Sequence, residues 1–326
     1  MKRIIARVIC ALACAMVPTA MLHAQSWQPG PTVEFIVPAG PGAALDSAGR
    51  EIQQLLRQHD LVRSMVVINK PGGNSSIALA VLDQHSGDGN YLMTLTTSIL
   101  NNHILGTLGK TYRDYTPLAL LFREYIGLVV REDSPFRTAE DLIRFMRDKP
   151  GALHIGVATS VGNHIHVGAA LPLSKAGVRI DQLSIIPFKS SGESISALLG
   201  GHIEVVAATT PNLITAMNSG RLRVLAVGSP ARLDGPLAAI PTWREQGIDV
   251  VTSSVQGVLG PPAMTPAQIN YWGSALAEIC KSDEWKEFLA KNQWQPNFVG
   301  PEQAGATLDR EYREIKEVLV ALRLVQ

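Results

Sequence analysis

Five short polar stretches hold most of the side chains that could bind or react, and each follows an apolar run. They are PAGPGAALD from Pro38, TTSILNN from Thr96, ATSVGNHIH from Ala158, KSSGES from Lys189 and ATTPN from Ala208. The first invites a nucleotide reading, because an apolar run, a glycine turn and a helix start aim unpaired N–H groups and a helix dipole at one point. Its residues argue otherwise. The dinucleotide fingerprint needs a third glycine where Leu45 stands, and Pro41 between Gly40 and Gly42 removes a donor. The full Walker pattern G-x-x-x-x-G-K-S/T does not occur.

Hydrolytic and metal chemistry find little more support. No G-x-S-x-G elbow is present, and no Ser, His and Asp set is marked by local context. His164 and His166 form an H-x-H pair that could bind zinc from one side, but no further ligands stand at matching spacing, so hydrogen-bonding histidines at a helix start are expected. No metal and no cofactor is implied. In open α/β sheets ligands bind beyond the carboxyl ends of the strands, so five such loops together point to a binding cleft between two lobes.

The elements that must position these loops are short β-branched runs alternating with helical patterns, which predicts an α/β fold with largely parallel sheets. Strands are expected at VEFIVP, MVVIN, YLMTL, YIGLVV, LHIGVA, LSIIPF, EVVAA, LRVLAV and VQGVLG. Ile52, Leu55 and Leu56 give the first helix an apolar stripe, and Leu142, Ile143 and Met146 do so for another. Near the end, residues 265–294 and 301–324 are read as two amphipathic helices whose Trp and Tyr side chains anchor packing. No repeat or long linker interrupts the chain, so two domains would be joined by several crossings.

Residues 1–24 carry Lys2, Arg3 and Arg7 ahead of an apolar run that ends at Ala24, the pattern of a secretory signal peptide. Three of the 29 Lys and Arg fall there, which leaves 26 against 28 Asp and Glu and no general attraction to nucleic acid or anionic membrane. Cys10 and Cys14 leave with the leader. Cys280 then stands alone, so no internal disulfide is possible and the thiol is expected to pack as a small hydrophobe. Stability must come from the core, which a chain 46% hydrophobic can build.

Across nearly the whole mature chain the sequence resembles the periplasmic solute-binding receptors of tripartite tricarboxylate transporters, the Bug receptors. The resemblance is carried by VPAGPGAALD, NKPGGNSS, GDGNYLMTLTTS, TYRDYTPLALL, REDSPFRTAEDLI, HIGVATSVGNHIHVGAAL, FKSSGESISALLGGHIEVV, SGRLRVLAVGSPARL, IPTWREQGIDV and GVLGPPAMTPAQ in order. It implies a two-lobed periplasmic-binding-protein fold of the Venus-flytrap, type II-like kind. Lobe 1 would hold residues 25–128 and 252–326, and lobe 2 residues 129–251. The implied protein is a monomeric, non-enzymatic periplasmic receptor that closes on a small carboxylate and delivers it to transporter membrane subunits. A hydrolase or transferase on such a fold, or a domain presenting ligand to a sensor protein, are the alternatives.

The resemblance also names a site. Backbone N–H groups of Ala39, Gly40, Pro41's neighbours, Gly42 and Ala43 would cradle a carboxylate, with Asp46 as the helix N-cap. Pro41 itself lines that loop. Thr96, Thr97 and Ser98, then Thr159, Ser160, Gly162, Asn163 and His164, and finally Thr209, Thr210 and Asn212 would complete the cleft. Two departures bear on specificity. Relatives carry three consecutive glycines where this chain has Gly42, Ala43 and Ala44, and small hydroxyl residues where it has Asn163 and His164.

Overall fold

The computed structural model describes residues 27–326, so the expected leader, 1–24, lies outside the described residues. The strands are β1 (Val33–Val37), β2 (Met65–Asn69), β3 (Tyr91–Thr96), β4 (Thr116–Arg131), β5 (His154–Ala158), β6 (Ser184–Phe188), β7 (Val205–Thr209), β8 (Leu222–Val227), β9 (Ser253–Gly260) and β10 (Gln295–Val299). Helices follow them as α1 (Ala44–Gln58), α2 (Ser76–Gln84), α3 (Ser98–Ile104), α4 (Ala139–Asp148), α5 (His164–Lys175), α6 (Ser191–Leu199), α7 (Thr210–Asn218), α8 (Pro266–Ile279), α9 (Asp283–Lys291) and α10 (Pro301–Ala321).

The strands run β2-β1-β3-β9-β4-β7-β5-β6, with β8 and β10 also paired to β4. Only the outer triplets are parallel, β2-β1-β3 and β6-β5-β7. Every pair made by β4 or β9 is antiparallel, so the expectation of largely parallel sheets is corrected to a mixed sheet. A strand buried on both faces reads as a continuous apolar run whatever its direction, so composition could not reveal this.

β4 is the hinge of the architecture. Its residues up to Tyr125 pair with β9, and from Ile126 onward they pair with β7 and β8. Only its second half was expected as a strand. The first half contains Pro117 and two register irregularities, which break the pattern without breaking the ladder. β10, with Pro296 and exposed Phe298, was likewise not expected.

The stretch 265–294 is two helices rather than one. Ser282 accepts a hydrogen bond from the Trp285 N–H and caps α9, and the break turns Trp285 into the core. There Trp272, Trp285 and Trp294 pack with Ile52, Leu55 and Leu56 of α1. Each fully buried leucine contributes about 1.5–3 kcal/mol. Cys280 packs against the same cluster, and burial pushes its thiol up to about 12, an inert side chain. On the other face of the sheet α3, α5 and α10 share a second core that continues across β4.

Candidate functional site

The first loop is folded by Asp46. Ala43, not Asp46, occupies the N-cap position of α1, and Asp46 is the third residue of the helix. From there its buried carboxylate reaches back to the Gly42 N–H at 2.8 Å and also accepts from Asn69 Nδ2 at 2.8 Å and Arg50 Nε at 3.0 Å. Burial alone would raise its pKa, but the hydrogen bonds from Arg50, Asn69 and Gly42 hold it below the ordinary carboxylate range. Gly42 supplies the positive φ of +80° that the turn requires. Its N–H and that of Ala43, which bonds to Gly40 O, are therefore used within the loop. Since Ser47 makes the first backbone bond of α1, the N–H groups of Ala44 and Leu45 are left to face outward with the helix dipole.

The loop after β3 does structural work first. Thr97 Oγ1 accepts the Val255 N–H at 2.8 Å and donates to Val255 O at 3.3 Å, which ties α3 to β9. Thr96 Oγ1 accepts the Ser98 N–H at 3.1 Å. Ser98 Oγ and Asn101 then cross to the other half of the sheet. Ser98 Oγ lies 3.5 Å from His164 Nδ1, and Asn101 Nδ2 donates to Gly162 O at 2.9 Å.

Asn163 is the N-cap of α5. Its amide oxygen accepts from Ile165 and His166 N–H, and Nδ2 donates to Ala158 O and to Thr159 Oγ1. All its polar capacity is turned inward. Thr159, at φ +67°, and Ser160 are exposed, and Gly162, at φ +84°, backs onto Leu105. His164 and His166 do not converge: His166 Nδ1 accepts the Gly162 N–H at 2.9 Å, while His164 Nε2 lies 3.9 Å from Glu124 Oε1. Burial pushes both imidazoles down to about 4, so both are neutral near pH 7. Among the described residues no group of three or more His, Cys, Asp or Glu is placed to hold a metal.

Sequence reasoning missed the side chains beneath these loops. Cross-strand register sets Thr96 against Gln256 and Ser254 against Glu124. Thr209 lies against Ile126 at the end of β7. Gln256 Nε2 donates to Glu124 Oε1 at 3.1 Å and to Ser254 Oγ at 3.3 Å. Burial pushes the Glu124 carboxyl up to about 7, against the pull of Gln256, Thr209 and the Trp294 indole. Thr209 also accepts from Asn212 Nδ2 at 3.1 Å, and the Thr210 hydroxyl is buried without a partner. The signal was present in the sequence, since Arg123-Glu124 interrupts an otherwise apolar run and Gln256 interrupts another.

The structure thus brings Thr96, Ser98, His164 and Thr209 to one polar floor, with Glu124 and Gln256 added, while Gly162 is fastened beside it by Asn101 and His166. The start of α1 lies on the same side of the sheet. Phe122 and Val258 pack with Ala48 and Ile52 of α1, and Glu124 and Gln256 stand two residues along the same strands. The loop at Lys189 remains exposed, with Ser190 capping its own helix. Gly109, Lys110 and Thr111 match the tail of a Walker pattern but lie outside any strand-to-helix turn. There Lys110 pairs with Asp83 at 2.7 Å and the Thr111 N–H is taken by Asp114.

The family model for the tripartite tricarboxylate transporter family receptor matches residues 49–321. Protein BugT of Bordetella pertussis is 25% identical over 280 residues, 84% of each chain. A crystal structure of a TctC solute binding protein from Polaromonas superposes with a TM-score of 0.75 at 26% identity, covering 90% of this chain and 99% of that one. An R. palustris protein solved with adipate gives a TM-score of 0.76 at 24% identity, over 90% of this chain and 97% of its own.

Proposed function

The chain belongs to the tripartite tricarboxylate transporter receptor family, and on that premise we propose that it captures a small carboxylic acid between two lobes and hands it to the membrane subunits of such a transporter. As a member of this family it is a periplasmic solute-binding receptor and not an enzyme. The observation that carries the ligand reading is the polar floor at Thr96, Thr209, Glu124 and Gln256, flanked by the starts of α1 and α5. Outward N–H groups at the first helix start suit a carboxylate. That a similar structure was solved with adipate supports the same class of ligand.

One lobe comprises residues 25–128 and 252–326, the other 129–251. The change of partners along β4 at Tyr125 and Ile126 supports this division. A solute enters by parting Ser98 from His164 and Asn101 from Gly162, and the lobes close again over it. Residues 1–24 direct export and are removed.

A thermal-shift and calorimetric panel of mono-, di- and tricarboxylic acids tests the reading. At least one acid should raise the melting temperature without being consumed and lower the radius of gyration in solution scattering. A protein that binds no carboxylic acid on the panel refutes it. Intact mass of the exported protein should begin after Ala24.

A further inference from the structure

We infer that Glu124 selects the solute, because the cleft floor holds a buried carboxyl with no cation beside it and a Gln256 amide oxygen with no donor, and is completed by a carboxylic acid that carries a protonated amine at its far end. This rests on the receptor reading above and refines its ligand class.

Glu124 is 7% exposed, and its one hydrogen bond of good geometry among the described residues is from Gln256 Nε2 to Oε1. Gln256 Oε1 is buried and has no donor. The Gln256 amide oxygen, held next to the Glu124 carboxyl by the amide's own bond to it, therefore lacks a partner, which buried polar groups rarely tolerate.

Nor does the protein supply a cation. His164 of α5 approaches at 3.9 Å but is neutral at pH 7. Arg123, the next residue on β4, turns to the other face and pairs with Glu311 of α10 at 2.7 Å. Gln256, Ser254, Thr209 and Trp294, which complete the surroundings, carry no charge. A second ligand carboxylate here would meet Glu124 head-on, whereas an ammonium group would pair with its carboxylate and supply the donor that Gln256 Oε1 lacks.

The distance is also suitable. Register carries Ile36 to Met93, Thr96 to Gln256 and Ser254 to Glu124, so the loop after β1 is three strands away from Glu124. At about 4.8 Å per strand the sideways separation is roughly 14 Å, so the ligand must be a chain with its two polar groups at opposite ends. 6-Aminohexanoate and its shorter homologues are chains of that kind.

Calorimetry with 6-aminohexanoate, its four- and five-carbon homologues and the dicarboxylates of the same lengths tests the inference on the full mature chain and on Glu124→Gln. At about pH 8 at least one amino acid should bind the parent roughly ten- to a hundredfold more tightly than its matched dicarboxylate, and Glu124→Gln should abolish that preference. Parent affinity for a dicarboxylate should fall as pH rises through about 7, and that for the amino acid should rise. This profile serves alone if the variant does not fold. Dicarboxylates binding the parent as well as or better than the amino acids, or a flat pH profile, overturns the inference. Should none of these probes bind while a tricarboxylic acid does, the receptor reading stands and the role of Glu124 falls. Should no carboxylic acid bind at all, the receptor reading fails first and takes this one with it.

Discussion

Replacing Glu124 by glutamine should stabilise the ligand-free protein, and by an amount that grows with pH. In the unfolded chain this carboxyl titrates near its ordinary 4.5, and in the folded protein burial pushes it up to about 7. Between those values the folded state holds a proton that the unfolded state has released. Stability therefore falls as pH climbs through that window, and the penalty is complete once the folded carboxyl ionises. At about 1.4 kcal/mol per pH unit of displacement, the ionised side chain costs about 3 kcal/mol. Glutamine keeps the shape and never ionises. Its stability relative to the parent should improve by about 3 kcal/mol between about pH 4 and about pH 8.5, or roughly 5–10 °C in melting temperature. Urea denaturation at five or six pH values measures the difference, in which the buried His166 largely cancels because both proteins contain it. A difference that stays constant with pH, or that favours the parent more as pH rises, would show that Glu124 is paired or solvated rather than buried without compensation.

Other substitutions follow from single contacts. Thr97→Val leaves the buried Val255 N–H without its acceptor and should cost about 1–3 kcal/mol, with less than about a threefold change in ligand affinity. Lost affinity at unchanged melting temperature would instead make Thr97 a ligand contact. Asn163→Ala removes the cap of α5 and should lower stability by about 0.5–2 kcal/mol in urea titration. Gly162→Ala places a Cβ 2.8 Å from Leu105 Cδ1 at a φ of +84°, so a stability loss of at least about 1 kcal/mol, together with weaker binding from a displaced Asn101 contact, is expected in melts and calorimetry. A variant as stable and as tight-binding as the parent would mean that the loop tolerates the shift.

Much of the fold could be read from the chain because its signals are local. VEFIV, MVVIN and the other short β-branched runs lie where strands form, and Ile52, Leu55 and Leu56 face the core as their spacing requires. What escaped was information that belongs to pairs of strands. Direction is not written in YIGLVV or VQGVLG, so the antiparallel β4 and β9 were taken for members of a parallel sheet. Asp46 was placed one turn too early because an acidic residue near a helix start suits several positions, and only the bond to Gly42 distinguishes them. The polar loops were legible as loops. Whether Thr97 and Asn163 point outward or fasten the scaffold depended on Val255 and Ala158, partners that composition does not name.

Glu124 shows why a binding floor is harder to read than a scaffold. Thr96 meets Gln256 across β3 and β9, and Ser254 meets Glu124 across β9 and β4, so residues far apart in the chain become neighbours only through register. In the sequence each is a single polar interruption of an apolar run, which reads as a defect. In the structure they adjoin one another, and a carboxyl that opposes folding when ionised sits where two sets of loops meet. A protein stabilised by its core can retain such a residue at a cost of about 3 kcal/mol, a fraction of the 5–15 kcal/mol typical of folded domains. The same unfavourable burial gives it value in binding, since a solute whose ammonium group pairs with Glu124 and donates to Gln256 Oε1 recovers the cost on closure. The penalty in the empty protein and the selectivity in the loaded one would then have the same physical origin, and Glu124→Gln should remove both together.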